Sequence, residues 1–394
     1  MADLRVRFFN IVQPVTTFFE DLTSRWEKVG WQIQIVTSNA TYGEGRNRRL
    51  DAAQAEIKTL PSFGISYQGK IRKLIVLLVY SMTAPILTLF GRQAFRNIFL
   101  TQPPLFYCWG RALKFFRGQP YYVVVMDLYP QVAVATGILS QEAFLTRVLG
   151  RLSAWGLRKA DGVIVIGRAM RQKVLAMGVD DDKVHLIPNW VDEEKICPVP
   201  REQNGLRKKM GLEDKFIVLY SGNMGASHYF DDLISAASDL RENHEIHILF
   251  IGGGYQLQSI REDVAERELR NISFLPFQPQ ERLSHSLSLG DVHFVSLREE
   301  FTGLVVPSKV YGIFAVGRPI IFQGSPEGEI FQIIDKENVG MNVPPGNPRA
   351  LSEAILYYYH HPAVAREQGK RARILAETKY ARENALSAYT EVIS

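Results

Sequence analysis

Phe216-Ile217-Val218-Leu219-Tyr220-Ser221, followed at once by Gly222-Asn223-Met224-Gly225-Ala226-Ser227 and a helical stretch from Tyr229, is the passage that decides the fold. The first six residues are apolar almost throughout rather than alternating, so they read as a strand buried on both faces, as in a parallel sheet. Small residues then turn the chain into a helix, which completes one strand–turn–helix unit. The same grammar recurs downstream at 246–251, 272–275, 292–296 and 318–322. It also occurs upstream at 6–12, 33–37, 121–126 and 162–166, with helix-length segments between, such as 18–28 with its apolar face of Phe18, Leu22 and Trp26. Two such series predict an α/β chain of two doubly wound, Rossmann-like domains facing a central cleft. Pro188, Pro198 and Pro200 break the periodicity across 187–200 and mark the join, so the expected domains run over 1–190 and from 191.

Composition narrows the function classes. The chain has 394 residues, 46% hydrophobic and 22% charged, which excludes a disordered tail, a collagen-like fibre and a nucleic-acid arm. Two cysteines, Cys108 and Cys197, exclude a disulfide framework and a cysteine-rich zinc module. The net charge of +5 hides an asymmetry, because residues 1–196 carry 25 Lys and Arg against 16 Asp and Glu, and the remainder 21 against 25. A basic first half is expected to face something anionic. Residues 74–90, LIVLLVYSMTAPILTLF, stand out with Lys70, Arg72 and Lys73 before them and Arg92 and Arg96 after. Three readings fit: a buried helix, a helix in the membrane interface, and, least of all, a span, since seventeen residues with a central Pro85 are short for one. No secretory pattern opens the chain, so a cytoplasmic location is expected.

Candidate chemistry lies after the strands, where ligands sit in paired α/β domains. Gly222, Asn223 and Met224 begin a turn of small residues at a helix start, which presents N–H groups to an anion. Gly252-Gly253-Gly254 lacks the third glycine of the dinucleotide fingerprint, because Leu257 stands there; its glycines would let a flat ring approach, or simply make a turn. The most informative stretch is Glu299-Glu300-Phe301-Thr302-Gly303-Leu304-Val305-Val306-Pro307-Ser308-Lys309-Val310-Tyr311. Ser308 is expected to cap a helix that Gly317 ends. Lys309 then falls in a first turn, where a cation is unfavourable to the helix dipole unless an anion is bound. That lysine, facing a second N–H-rich turn, would hold a diphosphate without metal. The eight histidines, His360-His361 among them, show no metal-ligand or triad spacing.

With Ala160-Asp161-Gly162-Val163-Ile164-Val165-Ile166, Pro188-Asn189-Trp190-Val191-Asp192, Tyr220-Ser221-Gly222-Asn223-Met224-Gly225 and the Pro307-Ser308-Lys309 helix, the chain resembles the retaining, GT-B-fold glycosyltransferases of family four. Within them it is most similar to the exopolysaccharide and colanic-acid type, including cyanobacterial heterocyst-envelope polysaccharide transferases. The resemblance implies a UDP-sugar donor held by the second domain, 191–376, and a final helix, 377–394, crossing back to the first. Carried over by position, Gly222 and Asn223 lie beside the diphosphate, with Met224 and Gly254 lining the same site. Lys309 neutralises the diphosphate beside Ser308. Pro276 and Phe277 border the base, and Thr302, Gly303 and Leu304 offer backbone donors to the sugar. Asp127 faces the transferred sugar or the acceptor.

Three departures matter. The family's usual second glutamate is replaced by Gly312, with Glu329 as the candidate substitute, and His228 stands where a lysine is common. The first-domain glycine-rich loop is replaced by Pro14-Val15-Thr16-Thr17. Stabilising the leaving diphosphate is the main chemical task, for which Lys309, assisted by Arg298, needs no metal and no other cofactor. Retention by front-face attack then requires no enzymic nucleophile, unlike the paired carboxylates of glycoside hydrolysis. The expected activity is a hexosyltransferase using UDP-glucose, acting on a lipid-linked acceptor at the inner face of the plasma membrane through its basic first domain. A nucleotide-sugar 2-epimerase and a non-catalytic transferase subunit are the alternatives.

Overall fold

The computed structural model describes residues 4–11, 17–38, 55–60, 70–91 and 93–394. The strands β1 (Arg5–Phe9), β2 (Gln32–Ser38), β3 (Glu56–Leu60), β4 (Arg96–Leu100), β5 (Tyr121–Val125), β6 (Gly162–Val165) and β7 (Val184–Leu186) form a parallel sheet in the order β3-β2-β1-β4-β5-β6-β7. A second parallel sheet holds β8 (Phe216–Asn223), β9 (Ile246–Gly253), β10 (Ile272–Leu275), β11 (Val292–Ser296), β12 (Ile320–Gln323) and β13 (Gly340–Val343), ordered β10-β9-β8-β11-β12-β13. Each order reverses once, between β1 and β4 and between β8 and β11. At such a switch point the loops leave in opposite directions and a ligand crevice opens at the carboxyl ends of the strands.

Alternate residues of β8 explain its sequence. Phe216, Val218 and Tyr220 join the core on one face with Phe250 and Phe294, while Ile217 and Leu219 pack on the other with Leu249 and Leu289. A strand covered on both faces has no polar side to alternate with. The strands without such runs are β3, β4, β7 and β13, of which β7 is only Val184-His185-Leu186. β3 is an edge strand whose Glu56, Ile57 and Thr59 are exposed. β4 opens on Arg96 and on Asn97, which is fully buried and donates to Gln119 Oε1 (3.1 Å) and the Phe95 carbonyl (3.0 Å). A buried side-chain network also crosses the first sheet. Arg7 Nε donates to Gln34 Oε1 at 2.6 Å, Gln34 Nε2 donates to Glu56 Oε2 at 2.6 Å, and burial lowers the Arg7 pKa to about 10.

The chain divides into two units, Met1–Ile187 with Leu386–Ser394, and Pro188–Ala385. The expected divisions at 190/191 and 376/377 therefore fall at 187/188 and 385/386. The helix Pro362–Glu377 stays with the second unit because its Arg373 donates to the carbonyls of Ala315 (2.6 Å) and Ile196 (2.9 Å). The last residues belong to the first unit, where Trp26 Nε1 donates to Thr390 Oγ1 at 2.9 Å. Residues 74–89 lie in the helix Lys70–Leu89 and Phe90 follows it, with Val76, Tyr80 and Ala84 buried and Leu78, Met82 and Ile86 exposed. Among the described residues no helix is long and apolar enough to cross a membrane. Pro14, Val15 and Thr16 lie outside the described residues, as do Val12 and Arg92.

Candidate functional site

The site is built where β8 and β11 part. Gly222 and Gly252 pair in register across β8 and β9, with φ of +134° and +136°. Glycine is required at Gly252, since a Cβ there would stand 2.1 Å from the Gly222 carbonyl oxygen. Gly254, at φ +140°, is tight for the same reason, as its Cβ would lie 2.5 Å from Asn223 Oδ1. Gly254 thus serves the approach of two loops. Met224 is wholly buried, its amide donates to the Gly253 carbonyl (2.8 Å), and its own carbonyl accepts from Gln256 (3.0 Å). Met224, expected to line the donor site, thus holds the backbone scaffold through both its amide and its carbonyl, while Gly254, expected there too, lets the two loops approach. Beyond them the amides of Gly225, Ala226 and Ser227 donate to no protein acceptor among the described hydrogen bonds.

Lys309 reaches this turn from the start of the helix Lys309–Ala315. A Cβ on Gly222 would stand 3.3 Å from its Nζ. Lys309 Nζ donates to the Tyr220 hydroxyl, which in turn donates to the Asn223 carbonyl at 2.7 Å. His228 Nε2 lies 3.5 Å from the same ammonium. His228 Nδ1 faces the Ser296 carbonyl, so Nδ1 carries the proton and Nε2 is left as an acceptor. Burial, and then the charge of Lys309, push the His228 pKa down to about 3. Burial alone pushes Lys309 down to about 7, and no carboxylate pairs with it among the described residues. Arg298 joins the scaffold through its backbone amide to the Ser227 carbonyl (2.8 Å) and its Nε to the His228 carbonyl (3.1 Å).

On the β9 side the ring of exposed Phe277 lies against Gly252 and Gly253, about 3.2–3.3 Å from where their Cβ atoms would be. Pro276 beside it is exposed. Lys309, Gly222, Gly252 and Phe277 thus form a row, with a cation at one end, an aromatic face at the other and bare backbone between. Ser308 does not cap the helix. Its backbone is already helical (φ −63°, ψ −17°), whereas a capping side chain needs extended backbone to reach back.

In the loop after β11 the amide of Thr302 donates to Glu299 (3.0 Å) and that of Leu304 to Phe301 (2.9 Å). Of the three expected donors, Gly303, at φ +71°, is the one whose amide has no acceptor among the described hydrogen bonds, and Thr302 Oγ1 is buried without a partner among the described residues. A Cβ on Gly312 would meet Leu287 Cδ1 at 3.1 Å. Glu329 lies beside the Tyr311 and Tyr380 hydroxyls, whose pKa values burial raises first and Glu329 raises further. Among the described residues no three His, Cys, Asp or Glu side chains are placed to hold a metal.

Asp127 lies in the first unit, after β5 and beside the end of β4. Gln102 Nε2 donates to its Oδ2 at 3.1 Å, and Thr101 Oγ1 accepts from the amides of Met126 (3.2 Å) and Asp127 (3.1 Å). Burial raises the Asp127 pKa, against the opposing hydrogen bond from Gln102. The sequence reading missed Tyr220, Thr101 and Gln102. Tyr220 carried one signal, a hydroxyl closing an otherwise apolar run.

Residues 15–190 match the family described as Glycosyl transferase 4-like domain, and residues 202–375 match Glycosyl transferases group 1. The chain belongs to the group 1, family-four glycosyltransferases. It is 30% identical to the Probable glycosyltransferase WbjE of Pseudomonas aeruginosa over 255 residues, 65% of this chain and 64% of that protein. Identity to WcaI of Escherichia coli, named for colanic acid biosynthesis glycosyl transfer, is 32% over 222 residues, 55% of this chain and 54% of the other. The matched part therefore spans between about half and two thirds of these relatives. Anabaena Alr3699/HepE, solved in complex with UDP-glucose, shares the GT-B fold with a TM-score of 0.73 over 99% of each chain, at 13% identity.

Proposed function

We propose that this chain transfers a hexose, glucose by preference, from a UDP-sugar to a lipid-linked saccharide of a growing exopolysaccharide at the inner face of the plasma membrane. The observation that carries this reading is half-buried Lys309, its ammonium held by a tyrosine hydroxyl and a neutral histidine, with no carboxylate beside it among the described residues. A cation desolvated without a counter-charge is costly to keep unless an anion completes it. The row from Lys309 to Phe277 has the order of a nucleoside diphosphate, with charge at one end and a flat ring at the other. The UDP-glucose bound by Anabaena HepE, which has the same fold, supports uridine as the base.

In this reading Lys309 and the amides of Gly225, Ala226 and Ser227 stabilise the charge that grows on the leaving diphosphate, and a side-chain cation does this without a metal. The bond from the anomeric carbon to the phosphate oxygen breaks, and the acceptor oxygen bonds to the same face. The acceptor proton passes to the departing phosphate oxygen. Gly303 N–H and Thr302 Oγ1 hold sugar hydroxyls, and Asp127, oriented by Gln102, serves the transferred sugar or the acceptor. Calorimetric titration with UDP, GDP and ADP in EDTA tests this. Binding of UDP alone supports the reading and leads to turnover assays with UDP-glucose. Failure of all three nucleotides to bind would instead favour a non-catalytic subunit, which Gly312 in place of the family glutamate also suggests.

A further inference from the structure

The connections β3 to β4, β4 to β5 and β5 to β6 all step the same way along the first sheet. Right-handed crossovers therefore put their helices, Lys70–Leu89, Cys108–Arg117 and Phe144–Arg158, on one face of it. They form a fixed layer. Trp109 Nε1 donates to Thr88 Oγ1 at 3.2 Å, and Tyr107 and Ser153 share a hydrogen bond of 2.7 Å. A Cβ on Gly156 would lie 2.7 Å from Cys108 Sγ, so the second and third helices touch through a bare glycine.

The outer side of this layer is unusual in two respects. It exposes large apolar side chains on all three helices, Met82 (70%), Ile86, Phe115, Phe116 (68%), Phe144 (75%) and Leu145. The same three helices contain nine Lys and Arg and no Asp or Glu. Arg147 and Arg151 are exposed beside Phe144, and neither meets a carboxylate among the described residues. The nearest acids in sequence are Glu142, before the third helix, and Asp161, after it, which is paired with Lys114 at 2.7 Å. A monomer rarely leaves that many bulky apolar groups in water. A protein partner could cover the apolar groups, but Arg147 and Arg151, exposed beside Phe144 and Leu145 with no carboxylate on them among the described residues, suit an unstructured negative surface better.

We infer that this three-helix face docks on the surface of an anionic lipid bilayer, with Phe144, Leu145, Phe115 and Met82 entering the headgroup region and Arg147 and Arg151 at the phosphates. The contact is broader than residues 74–90, because two of its three helices lie outside them. The inference rests on the lipid-linked acceptor reading above, and its test keeps the two apart. The full chain is sedimented with phosphatidylglycerol–phosphatidylcholine vesicles and with pure phosphatidylcholine vesicles, and UDP affinity is measured in parallel. Wild type should partition to the anionic vesicles and be released by high salt. Arg147→Glu with Arg151→Glu should weaken partition by about a hundredfold or more. Phe144→Ser with Leu145→Ser should weaken it by about tenfold, with UDP affinity unchanged in both. Wild type that ignores anionic vesicles, or variants that partition as well as wild type, would overturn the inference. So would a self-association that Phe144→Ser abolishes while vesicle binding stays absent.

Discussion

Lys309 makes the donor site pH-sensitive in a direction set by its burial. Its pKa falls from 10.5 to about 7 in the folded chain. Below about pH 7 both folded and unfolded chains carry the charge, and the full cost of burying it is present. Between about 7 and 10.5 the unfolded chain holds a proton that the folded chain has lost, so stability rises with pH across that window. Binding a diphosphate works in the opposite sense, since the anion favours the ammonium. UDP binding at pH 8 is therefore expected to take up a proton, read as a buffer-dependent enthalpy, and affinity should fall by up to about tenfold per pH unit above 7. His228, with its pKa near 3, stays neutral throughout and contributes nothing to this profile. Lys309→Met separates the two roles. It should lower UDP affinity by about 1.5–3 kcal/mol while leaving the thermal midpoint at pH 6 equal to or above that of wild type.

At the scale of elements, the register of β8 against β9 holds the site open. Gly252→Ala adds a Cβ at φ +136°, into the Gly222 carbonyl. Gly211→Ala is the control, with φ +66° and nothing within 4 Å of its Cβ. Gly211→Ala should cost the strain alone, about 1–3 kcal/mol. Gly252→Ala should cost more and reduce UDP affinity as well, as thermal melting and calorimetry would reveal. The strands around this pair were legible because β8, β9 and β11 are apolar on both faces and each ends in a small-residue or polar loop. β3, β4, β7 and β13 were not, because edge strands of three to five residues and a buried asparagine satisfied across the sheet carry no periodic signal. The cap assigned to Ser308 failed for a local reason, since a serine before a helix caps only if its own backbone is extended.

Across the whole molecule, the chain returns its last nine residues to the unit in which it began. Tyr389 and Ile393 are buried there, and Tyr389 meets the Phe18 ring at a centroid distance of 5.6 Å. Deleting Leu386–Ser394 should bare Trp26 and lower the melting temperature of the first unit while UDP binding by the second persists. Loss of both together in differential scanning calorimetry and titration would show the tail to be needed for the whole chain.

What the sequence determined by itself was the succession of buried strands, the two sheets they imply, the glycine turns and the lysine that follows a loop. Burial on both faces and small residues at sharp turns are local demands, so they are written locally. Tertiary structure alone decided that Tyr220 and His228 hold Lys309, that Met224 and the Thr302 and Leu304 amides are already bonded, and that Phe277 lies over Gly252. Those outcomes depend on which strand lies beside which and on which donors the backbone has used. Residues 81 and 89 positions from Lys309 meet its ammonium only once β8 and β11 are neighbours.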